Sequence, residues 1–314
     1  MDNLIFCLNA TVPVFLLMLF GIFFRKIGLF RDEFVKTLNK FVFSAALPAL
    51  LFEDLASVDF ASAWNGSFVL FCFLATLASI AISIGLSFLL KDRSLRGEFI
   101  QGAYRSSAAL LGIAFIQNIY GSSAMGPLMI IGTVPLYNIM AVVVLEFTRP
   151  GTHSLDRKLL LKTLRGILTN PIILGIAVGV LWSVLKLPQP PILEKTVHNF
   201  ACLATPLGLM AMGASFRAEK AVGCLRPAIA GSLLKLVGFA ALFLPLAIHM
   251  GFVQDELVAI LVMLGSATTV SCFIMARNMG HEGTLTSAIV MITTLFSALS
   301  ITGWLFLLRT MRLI

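Results

Sequence analysis

Residues 105–121 read RSSAALLGIAFIQNIYG, a stretch too polar at both ends for an ordinary lipid-facing helix yet set between two long apolar runs. It has a companion in residues 265–280, GSATTVSCFIMARNMG. Both begin with small polar residues, carry small residues at the centre, and end in an amide or basic residue followed by glycine. A lipid-facing segment must satisfy its own backbone groups, so unwound backbone is tolerated only inside protein or beside a watery cavity. A break leaves free N–H groups on one half-helix, which suit anions, and free carbonyls on the other, which suit cations or donors. Two such breaks from inverted halves, meeting at mid-membrane, form the binding site of several transporter folds. The competing reading is that Ser106, Ser107, Ala108, Ala109 and Gly112 let two unbroken helices pack closely.

The rest of the composition places these segments in a bilayer. Of 314 residues 59 % are hydrophobic and 12 % charged, and the mean hydropathy is +0.98; soluble domains carry about 25 % charged residues. A polytopic membrane protein of one domain follows, because no hydrophilic stretch is long enough to fold separately. Apolar runs bounded by charge or by Pro and Gly give ten spans: 5–25, 34–54, 66–90, 98–119, 123–147, 163–185, 191–216, 227–250, 255–278 and 284–308. The first, lacking basic residues before it and a small-residue cleavage site after it, reads as a retained span and not as a signal peptide.

The net charge of +8 is distributed as membrane topology requires and does not point to nucleic acid. With the N-terminus outside, 18 of the 23 Lys and Arg residues fall on cytoplasmic connections, Arg105 among them, as the positive-inside rule demands. Both termini are then extracytoplasmic. Lys235 falls within the eighth span.

Corresponding positions recur at a constant shift. Pro13 and Pro171, Gly21 and Gly179, and Pro48 and Pro206 are each 158 apart, while Ser107 and Ser266, and Gly121 and Gly280, are 159 apart. These matches join the first span to the sixth, the second to the seventh and the fourth to the ninth. A repeat of five spans, an odd number, forces the second copy to be inverted. The expected fold is therefore an all-α polytopic membrane protein of ten transmembrane helices. They form two inverted five-helix repeats, about 1–150 and 158–314, with helices 4 and 9 broken and crossed.

The stretches KTLNKFVFSAALPALLF, SSAALLGIAFIQNIYG, NPIILGIAVGV, ATPLGLMAMGASF, LLKLVGFAALFLPLA and SATTVSCFIMARNMG run in order over nearly the whole chain. In them the sequence resembles the auxin efflux carrier family, which includes bacterial permeases for malate and malonate. The resemblance implies a crossover of broken fourth and ninth helices, an elevator-like movement of the part that carries it, and organic anions as cargo. Where that family often reads NTxxxGIP in the fourth span, this chain has Ser107, Ala108 and Ala114 in place of the Asn, Thr and Pro, and keeps Gly112 and Ile113. Cys272 stands near the crossover proline of plant members, while Ser271 and Phe273 look bacterial. Without a proline at 114 no missing N–H enforces the break, which leaves Gly112 as the residue expected to make it.

Other candidates are few. Lys235 either attracts an anion or joins an interior ion pair, since intramembrane charges are functional by default, or its stem snorkels to the surface; the resemblance, which often has a basic residue there, favours a role. Glu53 and Asp54 read as solvated at the outer surface, with entry of a cation or proton as the alternative. Cys7, Cys72, Cys202, Cys224 and Cys272 are scattered singly, and four histidines sit at span ends without ligand spacing. No HExxH, GxSxG, Walker or dinucleotide motif is present, so no enzyme, ATP-driven pump, cofactor or metal is expected.

The expected activity is secondary active transport of small organic anions, mono- or dicarboxylates and auxin-like weak acids, across the cell membrane. The substrate site is expected from Ser106, Ser107, Gly112, Gln117 and Asn118 in the first half and Ser266, Thr268, Thr269 and Ser271 in the second. A cation-coupled exchanger and a channel-like protein are the rival readings. The expected partners are the bilayer and the anion, with a homodimer left open.

Overall fold

The computed structural model of the chain describes residues 2–56, 65–108, 116, 119–120, 125–150 and 164–314, with backbone alone for 2–11 and 218. The described residues are all-helical and irregular, with no strand. Helix α1 is Asp2–Lys26, α2 Asp32–Ala56, α3 Gly66–Ser87, α4 Arg96–Tyr104 and α5 Met125–Phe147. In the second half α6 is Pro171–Val184, α7 Pro191–Ser215, α8 Ala218–Gly223, α9 Leu225–His249, α10 Asp255–Gly265, α11 Ser271–Asn278 and α12 Thr284–Thr310. Among the described residues α2, α3, α5, α7, α9 and α12 are long and apolar enough to cross a bilayer, and α6 is a shorter apolar helix.

Two helices carry a π-turn, each for a visible reason. In α2 the turn at Val42–Ala46 precedes Pro48; proline has no N–H to give and its ring crowds the carbonyl four residues back, and a widened turn relieves both. In α9 the turn is Leu234–Gly238, and the Leu236 carbonyl accepts from Ser300 Oγ at 2.7 Å and from the Trp304 indole N–H at 3.2 Å. The wide turn swings Lys235 into the protein instead of along the surface. Such turns recur at functional sites.

The helices pack as two groups. In one, α1 lies on α7 and α2 on α6 and α7; in the other, α3, α4 and α5 pack together and meet α9 through α12; α1 also packs along α12 and joins the two groups. The first group is held by close backbone approach. A Cβ at Gly21 would run into the Met210 carbonyl of α7, and one at Gly213 into the Met18 carbonyl of α1. Gly179, which stands 158 residues beyond Gly21, takes the matching place on α6, where a Cβ would meet the Phe52 backbone of α2 at 3.1 Å. Gly213→Val is expected to destabilise the protein by about 2 kcal/mol or more, because α1 and α7 must part. Gly303→Ala, where a Cβ meets nothing within 4 Å, is the neutral control. Thermal melts in detergent compare the two, and an unchanged melt for Gly213→Val contradicts the close packing.

The fourth and ninth expected spans, 98–119 and 255–278, are both interrupted. Helix α4 stops at Tyr104; Arg105 is extended, and Ser106 and Ser107 are irregular. Helix α10 stops at Gly265, and residues 266–270 are irregular before α11 begins. Small and β-branched polar residues, which favour local hydrogen bonds over the helix, occupy both interruptions. The first falls at Arg105–Ser107, upstream of the expected Gly112, while Gly112 and Ala114 lie outside the described residues. Arg105 also departs from expectation: it is not on a cytoplasmic connection but buried, 2 % exposed.

Candidate functional site

The two interruptions are bonded to each other. The Ser107 N–H donates to the Ala267 carbonyl at 2.9 Å, backbone to backbone. Around that bond the helix ends trade partners: Thr268 Oγ1 donates to the Gly102 carbonyl at 2.8 Å, and Gln101 Nε2 to the Cys272 carbonyl at 2.9 Å. The Thr268 N–H is taken by Thr293 Oγ1 of α12 at 3.1 Å. Several of the backbone groups released by unwinding are thus met by protein, which is the condition for irregular chain inside a membrane protein.

Lys235 closes the carbonyl end of α10. Its ammonium is fully buried and donates to the Leu264 carbonyl at 2.7 Å and the Met263 carbonyl at 3.3 Å, and to Ser106 Oγ. Ser106 Oγ in turn donates to the Met263 carbonyl. A cation belongs at a helix C-terminus, where free carbonyls concentrate negative potential. Lys235 therefore does not snorkel, and its bonds go to the protein's own backbone.

Beside this core is a cavity of about 600 Å³ counted to its mouth. Leu47, Leu50, Leu51 and Asp54 of α2 form one wall, at the spacing of a single helix face, and Ile172 and Thr205 come from α6 and α7. Opposite stand Arg105, Ser106 and Ser107 from the first interruption, Thr269, Val270 and Ser271 from the second, and Val134, Tyr137 and Asn138 of α5. Arg105 dominates its chemistry. The guanidinium Nη2 donates to Asn138 Oδ1 at 2.6 Å and Ser271 Oγ at 2.9 Å, Nη1 reaches Met275 Sδ at 2.8 Å, and Nε has no partner. The Asn138 amide is oriented by donating to the Val134 carbonyl at 2.9 Å, so its oxygen faces the arginine.

Among the described residues no carboxylate oxygen lies within 4.0 Å of Arg105. A buried charge that meets only neutral partners remains costly, by several kcal/mol, and a guanidinium is built to take a carboxylate through two parallel bonds. Thr269 Oγ1 and Ser271 Oγ are 3.1 Å apart, and the N-terminal end of α11 opens on the same space, adding the positive end of a helix. The cavity can bind an organic anion by its charged end against an apolar wall.

Of the residues expected at the site, Ser106, Ser107, Thr269 and Ser271 line the cavity. Thr268 and Ser266 are buried beside the two interruptions and do not line the cavity; Thr268 is spent on the Gly102 and Thr293 bonds. Gly112, Gln117 and Asn118 lie outside the described residues. Sequence reasoning missed Arg105, Asn138 and Tyr137, and gave Asp54 a role only as the alternative to a solvated position. A charge adjoining a polar span was the available signal for Arg105, but charge counting assigned it to a connection. Glu53 and Asp54 part company: Glu53 pairs with His198 at 2.7 Å, whereas Asp54 is half-buried and lines the cavity.

A family model described as membrane transport protein matches residues 6–305. The chain is similar to a protein of Rhizobium meliloti (strain 1021) whose printed name is "Putative malonate transporter", with 25 % identity over 314 residues that cover 96 % of each chain.

Proposed function

Because the chain belongs to the membrane transport protein family, it is a multi-pass membrane transporter and not an enzyme, and we propose that its cargo is a small organic anion, a mono- or dicarboxylate. The observation that carries this reading is Arg105, a buried guanidinium without a carboxylate partner among the described residues, set in a cavity between two interrupted helices. The name of the relative, malonate being a dicarboxylate, agrees with it.

In this proposal the ten spans are two inverted five-helix repeats, and α4 with its continuation crosses α10–α11 at the Ser107–Ala267 bond. The equivalent close contacts of Gly21 and Gly179 support that symmetry. The substrate carboxylate sits on Arg105, with the hydroxyls of Ser107, Thr269 and Ser271 around it and the leucine face of α2 against its carbon chain. Alternating access then takes the form of an elevator: the group built on α3–α5 and α9–α12 carries the site past α1, α2, α6 and α7. Lys235 serves the transport group by holding α10 to the first interruption. The bias of basic residues supports an orientation with both termini outside, and the cell membrane is the proposed location.

Uptake into proteoliposomes tests the reading. Saturable uptake of labelled malonate or another small carboxylate, with counterflow, is the expected result. A non-saturating conductance favours a channel, and cation flux driven by an ion gradient without organic substrate favours an exchanger. Ser107→Leu fills the cavity while leaving the backbone bond to Ala267 intact, so it is expected to abolish uptake with an unchanged melting temperature. Wild-type uptake in that variant counts against the cavity as the site.

A further inference from the structure

A second cavity, polar and of about 700 Å³, opens at the other end of α2, where the ends of α1, α7 and α11 meet the start of α12. The charge distribution places this end toward the cytoplasm. Five cations face the cavity, among them Lys36 of α2, Arg217 beyond α7 and Arg277 of α11, against the carboxylates of Asp32 and Glu282 alone among the described residues. Both carboxylates are already engaged. Asp32 holds Arg25 at 2.7 Å and Glu282 holds Lys220 at 2.9 Å, while Arg277 donates to the Glu282 backbone carbonyl at 3.0 Å. Lys36, Arg217 and Arg277 therefore have no carboxylate oxygen within 4.0 Å among the described residues, although the Asp32 carboxylate acts at longer range on Lys36 and Arg217, and five cations share one space with two acids. Ser215 adds an independent observation: its Oγ is shielded from solvent, has no hydrogen-bond partner, and belongs to the cavity lining.

We propose that this cavity is a binding site for a phosphate-bearing anion. A phosphate presents several acceptor oxygens on a compact charge, which fits a ring of guanidinium and ammonium donors closed by one hydroxyl. Basic pockets between helices on the cytoplasmic side are where anionic lipid headgroups bind, and a soluble phosphate offers the same chemistry. The occupant touches α2 and the end of α7 on one side and α11 and α12 on the other, so it ties together the two helix groups.

The test uses the full-length protein in nanodiscs of neutral phosphatidylcholine, with phosphatidylglycerol added to the bilayer in one arm and soluble pyrophosphate in the other. At saturation an occupied site is expected to raise the melting temperature by about 5 °C. The double variant Lys36→Gln/Arg217→Gln is expected to lose that rise while melting like the wild type without either addition. A rise confined to the phosphatidylglycerol arm identifies a lipid headgroup, one confined to pyrophosphate identifies a free phosphate, and either supports the site. Ser215→Ala tests the hydroxyl alone and should weaken binding severalfold. Absence of a rise in both arms, or an equal rise in the double variant, overturns the proposal.

Discussion

Arg105→Gln is expected to lower carboxylate uptake at sub-saturating substrate by about a hundredfold or more, the largest effect of any single substitution in the cavity. Breaking one partner of a buried, charge-assisted pair costs about 3–5 kcal/mol, and each 1.4 kcal/mol is a factor of ten in affinity. The loss should be read in KM, since the guanidinium touches the substrate. The fold should survive, because glutamine keeps a donor toward Asn138 and Ser271 and removes a buried charge that has no carboxylate partner among the described residues. Arg105→Lys should recover part of the uptake, as a point charge without the planar fork. Uptake with a wild-type KM in Arg105→Gln would remove the central observation behind the anion reading.

Lys235→Met should act in the opposite way. It deletes an ammonium that binds the Leu264 and Met263 carbonyls and Ser106; the Met263 carbonyl keeps Ser106 Oγ and the Tyr137 hydroxyl as donors, while the Leu264 carbonyl loses its ammonium. An orphaned buried acceptor costs about 1–3 kcal/mol. A methionine stem of similar length recovers some of the cost of burying a charge, so the chain should fold but melt several degrees lower. Transport should fall at every substrate concentration with KM unchanged, because Lys235 holds the two interruptions together and does not line the cavity. A raised KM with an unchanged melting temperature would make Lys235 a substrate ligand instead. The pair of variants thus separates binding from positioning.

Much of this was open to reading along the chain. Long apolar runs need about 20 residues to cross a bilayer, and the helices Gly66–Ser87, Met125–Phe147, Pro191–Ser215 and Thr284–Thr310 lie within a few residues of the expected spans. The weak polarity of residues 105–121 and 265–280 marked where the helices stop, because a run of Ser, Thr and Gly lacks both the propensity and the apolar face of an ordinary span. The sequence did not single out the break at Arg105–Ser107, where the N–H of Ser107 finds a carbonyl 160 positions away in Ala267; Gly112, which stood out by its flexibility, lies outside the described residues.

Hydropathy and charge bias, being local sums, determined that the chain crosses the membrane many times and that its fourth and ninth segments differ from the rest. They sorted Arg105 and Asp54 by their neighbours in sequence, one to a connection and the other to the outer surface. Only the tertiary structure decided that Arg105 and Asp54 face one cavity, that Lys235 closes a helix end, and that Thr268 is spent on the protein's own backbone. A charge inside a membrane protein takes its meaning from the acceptors around it, and those acceptors, Leu264, Asn138 and Ser271, come from other helices.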